Sequence, residues 1–207
     1  MKRIALAFTV VAATFMVASV SDAAITRYII ALNGQNENPS NSSPATGSGL
    51  VDIDTSTHTL HINVAFSGLT SNTIMAHIHC CIAPSGNTGV ATTVPAFLGF
   101  PLGVTSGTYE RTLDLTLASS WNAPFIAANG GTPASAEAAL AAGAAVGLAY
   151  FKIHTTNFPP GEIRGFLVVS PGQPTTPSIP TLSGGAFLLL GVLLMLSAFV
   201  YLRRRAA

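Results

Sequence analysis

The sequence predicts a mostly β protein: a single antiparallel β-sandwich or flattened barrel with one short helix, followed by a C-terminal transmembrane helix. Three observations predict it. Apolar residues alternate with a period of two through most of the middle of the chain. Clusters of Asp, Thr, Ser, Gly and Pro separate those runs. Finally, no residue from Leu182 to Leu202 is charged.

Residues 27–32 supply a first strand. Residues 49–66 read as a hairpin: Val51 and Ile53 share one face, Asp54-Thr55-Ser56-Thr57 turns the chain, and Leu60, Ile62, Val64 and Phe66 share a face on the return. His77 to His79 lie in a further extended run with Ile78 facing the core, and Leu113, Leu115 and Leu117 mark a strand over 112–117. Two more strands, 147–154 and 162–169, are joined by a turn at Phe158-Pro159-Pro160-Gly161. The one helix begins at Thr132, a capping residue followed by Pro133, runs through the alanine-rich segment 134–142 and stops at Gly143. It is too short to stand alone in water and must pack on the sheet. Trp121, Phe97 and Phe100 sit in loop-like segments and read as lids on the core.

The two ends agree on export. Lys2 and Arg3 precede an apolar run over 4–20, and Ser21-Asp22-Ala23 places small residues before a cut after Ala23, so residues 1–23 read as a signal peptide. Residues 25–169 form one domain of ordinary size. Residues 170–181 are a linker rich in Pro, Thr and Ser, a semi-rigid spacer. Residues 182–202 are long enough to cross a bilayer, and Arg203, Arg204 and Arg205 in the tail 203–207 place that end in the cytoplasm. The expected location is the inner membrane, with the domain in the periplasm or at the cell surface.

Charge narrows the partners. Between signal and linker stand four basic residues (Arg27, Arg111, Lys152, Arg164) and seven acidic ones, a net −3, although the whole chain is +1. Nucleic acid is excluded as a partner, because such binding rests on basic patches.

Five histidines and two cysteines carry the candidate chemistry. His77 and His79, two apart in a strand, project side by side as a bidentate pair. His154, near the end of another strand, is the third ligand if the two strands end at one rim. Three histidines and an open position suit zinc or copper. The plainer alternative is three polar residues at strand ends. His58 and His61 sit in and after a turn and read as solvated. Cys80 and Cys81 are adjacent, leaving three states open: a vicinal disulfide in a strained ring, thiolate ligands beside His79, or two free thiols. Glu162 and Arg164 lie two apart in an expected strand, as an ion pair or with Glu162 orienting a ring nitrogen of His154. No Ser–His–Asp arrangement, phosphate loop or catalytic carboxylate pair stands out.

Taken in order, Leu32-Asn33-Gly34-Gln35-Asn36-Glu37-Asn38-Pro39, Ser67-Gly68-Leu69, Ala76-His77-Ile78-His79, Ile153-His154-Thr155 and Gly161-Glu162-Ile163-Arg164-Gly165 resemble the CHRD domain. That family takes its name from chordin, an extracellular antagonist of growth factors, and is widespread in bacterial exported proteins. The resemblance covers about residues 26–169 and implies a compact extracellular β-domain of largely unassigned role. Its signature polar positions fall on Glu37, His77, His79, His154, Glu162 and Arg164. Separately, Ile179-Pro180-Thr181-Leu182-Ser183 before an apolar segment and an arginine cluster resembles the IPTL-CTERM class of sorting tails, relatives of the PEP-CTERM signals. That likeness implies an exosortase-type processing enzyme as a partner. Gly184-Gly185-Ala186 stands where that class usually has Glu-Trp-Gly.

The expectation is therefore an exported, membrane-tethered binding or structural module without turnover, with an extracellular protein or polysaccharide as its ligand. The alternative is a copper- or zinc-binding, redox-active metalloprotein built on His77, His79 and His154.

Overall fold

A computed structural model describes residues 25–171, which fall within one compact unit, Ala23–Pro174. Eight strands follow in chain order: β1 (Ile25–Asn33), β2 (Thr46–Asp54), β3 (Thr59–Ser67), β4 (Thr73–His79), β5 (Gly107–Asp114), β6 (Tyr150–Thr155), β7 (Ile163–Phe166) and β8 (Val168–Val169). They make one curled antiparallel sheet in the order β4-β6-β7-β1-β2-β3-β5, with β8 also pairing β1. The segment that leads into β5 is bonded to the start of β4. There Thr73 N–H donates to the Val104 carbonyl (2.9 Å), and Gly103 N–H donates to the Thr73 carbonyl (2.9 Å).

The middle of the sheet follows the alternation in the sequence. In β3, Leu60, Ile62, Val64 and Phe66 are buried on the inner face, opposite Ile53, Val51, Gly49 and Gly47 of β2. Tyr28, Ile30 and Leu32 of β1 join the same core, with Ala76 and Ile78 of β4, Phe151 and Ile153 of β6, and Ile163 of β7. Phe97 and Phe100 are buried in that core, Phe97 stacking on Phe151 with ring centroids 5.6 Å apart. Trp121 is buried too, its indole N–H donating to the Leu115 carbonyl at 2.9 Å.

Among the described residues two α-helices stand where one was expected. α1 (Ala123–Ala128) has only six residues, too short to show a helical period, and is separated from Trp121 by its N-cap Asn122. α2 (Pro133–Ala145) starts as expected: the Thr132 hydroxyl accepts from Ser135 N–H, and Ser135 returns a bond to the Thr132 N–H, a reciprocal cap. Ala136, Leu140 and Ala144, spaced by four, are fully buried. Gly143 does not end the helix. Gly147 does, at φ +73, with its N–H on the Ala144 carbonyl and Leu148 N–H on the Gly143 carbonyl.

The strand expected over 112–117 is shifted. β5 ends at Asp114, whose carboxylate accepts from Thr116 N–H and Oγ1 and turns the chain out of the sheet. Leu117 is 51% exposed in consequence. Among the described residues no helix is long and apolar enough to cross a membrane. The expected signal peptide, the rest of the expected linker beyond 171, the expected transmembrane segment and the expected sorting tail lie outside the described residues.

Candidate metal centre

β6 and most of β4 and β7 are buried on both faces. The inner face packs into the core. The outer face is covered by the segment between β4 and β5 and by the 3-10 turn Gly34–Asn36 with its C-cap Glu37. Every residue of β6 is buried, including Tyr150, Lys152 and His154 on the outer face. Polar side chains that alternation alone assigns to solvent are thus enclosed.

His77, His79 and His154 come together there, 2%, 6% and 6% exposed. β4 pairs with β6 so that His79 faces Tyr150, His77 faces Lys152 and Met75 faces His154. Ring centroids are 5.7 Å apart for His77–His79, 5.2 Å for His77–His154 and 5.8 Å for His79–His154. One ring nitrogen from each lies within 4.8 Å of the other two. Nitrogens so spaced share a point no more than about 2.8 Å from each, and a small contraction reaches the 2.0–2.1 Å of a zinc–imidazole bond.

One nitrogen of each ring is fixed by the backbone. His77 Nε2 donates to the Pro95 carbonyl (2.5 Å), His79 Nδ1 to the Thr88 carbonyl (2.8 Å) and His154 Nδ1 to the Pro159 carbonyl (2.8 Å). A carbonyl only accepts, so these nitrogens carry the protons. In the neutral rings His77 Nδ1, His79 Nε2 and His154 Nε2 then hold bare lone pairs, and all three are buried without a hydrogen-bond partner. Burial keeps the rings neutral. It pushes His79 down to about 3 and His154 to about 4, and it lowers His77 as well. The backbone bonds oppose that shift, and the nearby Lys152 ammonium adds to it on every ring.

Lys152 is itself buried and donates to Glu37 Oε2 (2.9 Å) and to the Pro160 carbonyl (3.0 Å). Gly161, at φ +135, makes room for the pair: a Cβ there would lie 2.6 Å from Lys152 Cδ and 2.8 Å from Glu37 Oε1. Burial raises the Glu37 carboxyl, against the pull of Lys152 and Arg164. Arg164, fully buried, donates to the carbonyls of Asn36 and Gly86 and to Asn87 Oδ1, and its guanidinium lies 4.8 Å from the Tyr150 ring centroid. Tyr150 in turn stacks on His79 at 4.9 Å.

Glu162 does not orient His154, nor does it pair with Arg164. It precedes β7 rather than lying in it, so strand alternation does not apply. Its carboxylate accepts from Ser43 Oγ (2.6 Å), Thr70 N–H (2.8 Å) and Thr155 Oγ1 (2.6 Å), and Thr155 faces away from His154. Burial would raise this carboxyl, but the hydrogen bonds outweigh it and hold it below the usual range. Pro159, not a carboxylate, orients His154.

The sulfurs of Cys80 and Cys81 are bonded to each other and rest against α2, where a Cβ on Gly143 would come within 2.4 Å of Cys81 Sγ and 2.6 Å of Cys80 Sγ. Neither joins the histidine group. His58 and His61 stay on the surface side, each beside a carboxylate: Glu137 at 2.8 Å and Glu110 at 3.3 Å. Lys152 escaped the sequence reading, although Tyr150-Phe151-Lys152-Ile153-His154 places it beside His154 by the same spacing of two that paired His77 with His79.

The fold and the pocket define a small antiparallel β-domain with a buried polar face. The family model for the CHRD domain matches residues 28–167, and the chain belongs to that family. No curated protein and no solved structure matches it.

Proposed function

We propose that this chain is an exported, membrane-tethered CHRD-domain protein whose domain binds one transition-metal ion, copper or zinc, through His77, His79 and His154. One observation carries the reading: in a cluster of three buried histidines, each ring gives one nitrogen to a backbone carbonyl and leaves the other buried without a hydrogen-bond partner. A buried polar atom without a partner costs about 1–3 kcal/mol, and a cation offsets three such costs at once. Carbonyls that fix the tautomer are the usual support of metal-bound imidazoles. The reading assigns no reaction. It keeps the tether from the uncharged 182–202 segment and its arginines, and export from the N-terminal run.

Elemental analysis of the purified protein tests the metal. About one copper or zinc per chain, lost in both His77→Ala and His154→Ala, supports it. A folded protein with no metal overturns it and turns the search to a protein or polysaccharide ligand on the surface. Alkaline carbonate extraction tests the tether: release of uncut protein into the soluble fraction contradicts it.

A further inference from the structure

We infer that Met75 is a fourth ligand of this centre and makes it selective for copper(I) over zinc. The inference rests on the metal reading above and adds the identity of the ion.

Position supports it first. Ala76 and Ile78 are fully buried in the core, so alternation puts Met75 on the outer face of β4 with His77 and His79. In the ladder Met75 stands directly across from His154. Side chains so opposed start with Cβ atoms about 4.5–5.5 Å apart, and a methionine spans that gap with three rotatable bonds. Met75 is also only half-buried, whereas the three rings are enclosed.

Donor chemistry and charge point the same way. Three neutral imidazoles bring no negative charge, and a thioether adds none. The charge that bears on all three rings is the buried ammonium of Lys152. Coulomb repulsion scales with the charge of the incoming ion, so a monovalent cation meets half the repulsion a divalent one does. A soft thioether favours copper(I), and zinc gains little from it. Glu37, the carboxylate of this pocket, is committed to Lys152 and is not in the donor group.

The test uses the full-length chain in detergent, titrated anaerobically with copper(I) against a chromophoric copper(I) chelator and separately with zinc(II) against a zinc dye. Met75→Leu keeps the volume and removes the sulfur. It is expected to weaken copper(I) binding by about 10-fold or more, the scale on which supporting groups at metal sites already act, and to leave zinc affinity unchanged. X-ray absorption at the copper edge should show a sulfur neighbour in the wild type and none in Met75→Leu. Equal copper(I) affinity in the two proteins, or a sulfur neighbour that persists in Met75→Leu and so belongs to a cysteine, overturns the inference while the metal reading stands. Binding of neither ion by the folded wild type removes both.

Discussion

Three buried neutral histidines make the metal-free protein acid-labile in a window where few other groups act. The perturbation is a fall from about pH 7.5 to about pH 5 with a chelator present, and the sign follows from proton linkage. An unfolded histidine binds a proton near 6.5, while His79 and His154 in the fold resist until about 3 and about 4. Below 6.5 the unfolded chain therefore binds more protons, and stability falls with pH. At about pH 5 each ring contributes a loss of about 2 kcal/mol, from about 1.4 kcal/mol per pH unit. Together that is about 4 kcal/mol, with His77 adding in the same direction. Typical domains hold only about 5–15 kcal/mol, so the effect is large. Glu37, raised by burial, works in the opposite direction, and Asp114 and Glu162, both lowered, act below this window. His154→Asn isolates the term, because its amide still donates to the Pro159 carbonyl and does not titrate. Denaturant unfolding followed by the single tryptophan, Trp121, should show the wild type losing about 2 kcal/mol more than His154→Asn over the interval. An identical loss in the two proteins would refute the claim that a neutral buried ring at 154 governs the slope.

Lys152→Met should cost about 3–5 kcal/mol at neutral pH, the loss expected when one member of a buried pair is removed. The cost should shrink toward about pH 5, because the abandoned Glu37 carboxyl then takes up a proton; a penalty independent of pH in denaturant unfolding counts against the buried pair. Gly143→Ala gains about 1 kcal/mol of helix propensity, yet its methyl overlaps both sulfurs. A net loss of about 1–3 kcal/mol is expected in the oxidised protein, relieved when a dithiol frees the sulfurs to part. Stabilisation of the oxidised form in the same assay would contradict that packing.

The parts legible in the sequence are those set by a local period. Leu60, Ile62, Val64 and Phe66 declare β3, and Thr132 with Pro133 declares the start of α2, because alternation and capping involve only neighbours in the chain. The misses arise where a distant segment decides. Gly143 reads as a helix stop, but its missing side chain answers to sulfurs more than sixty positions earlier. Leu117 continues an apolar alternation that the Asp114 turn has already ended. At the site, spacing joined His77 to His79 and suggested His154. It did not reveal the carbonyls of Thr88, Pro95 and Pro159, since any residue type can supply a carbonyl. Nor did it reveal that the outer face is roofed, so Lys152 entered only the charge balance.

Where the sheet is roofed on both sides, at β4, β6 and β7, neighbouring positions of one strand have separate duties. Along β4, Ala76 and Ile78 belong to the core, and His77 and His79 to the proposed binding site. The same partition runs along β6, with Phe151 and Ile153 on one side and Lys152 and His154 on the other. The outer-face positions can therefore be exchanged while the apolar interior is kept, Lys152 excepted because the buried Glu37 depends on it. A directed library restricted to positions 75, 77, 79 and 154 would sample new specificities without repacking the interior.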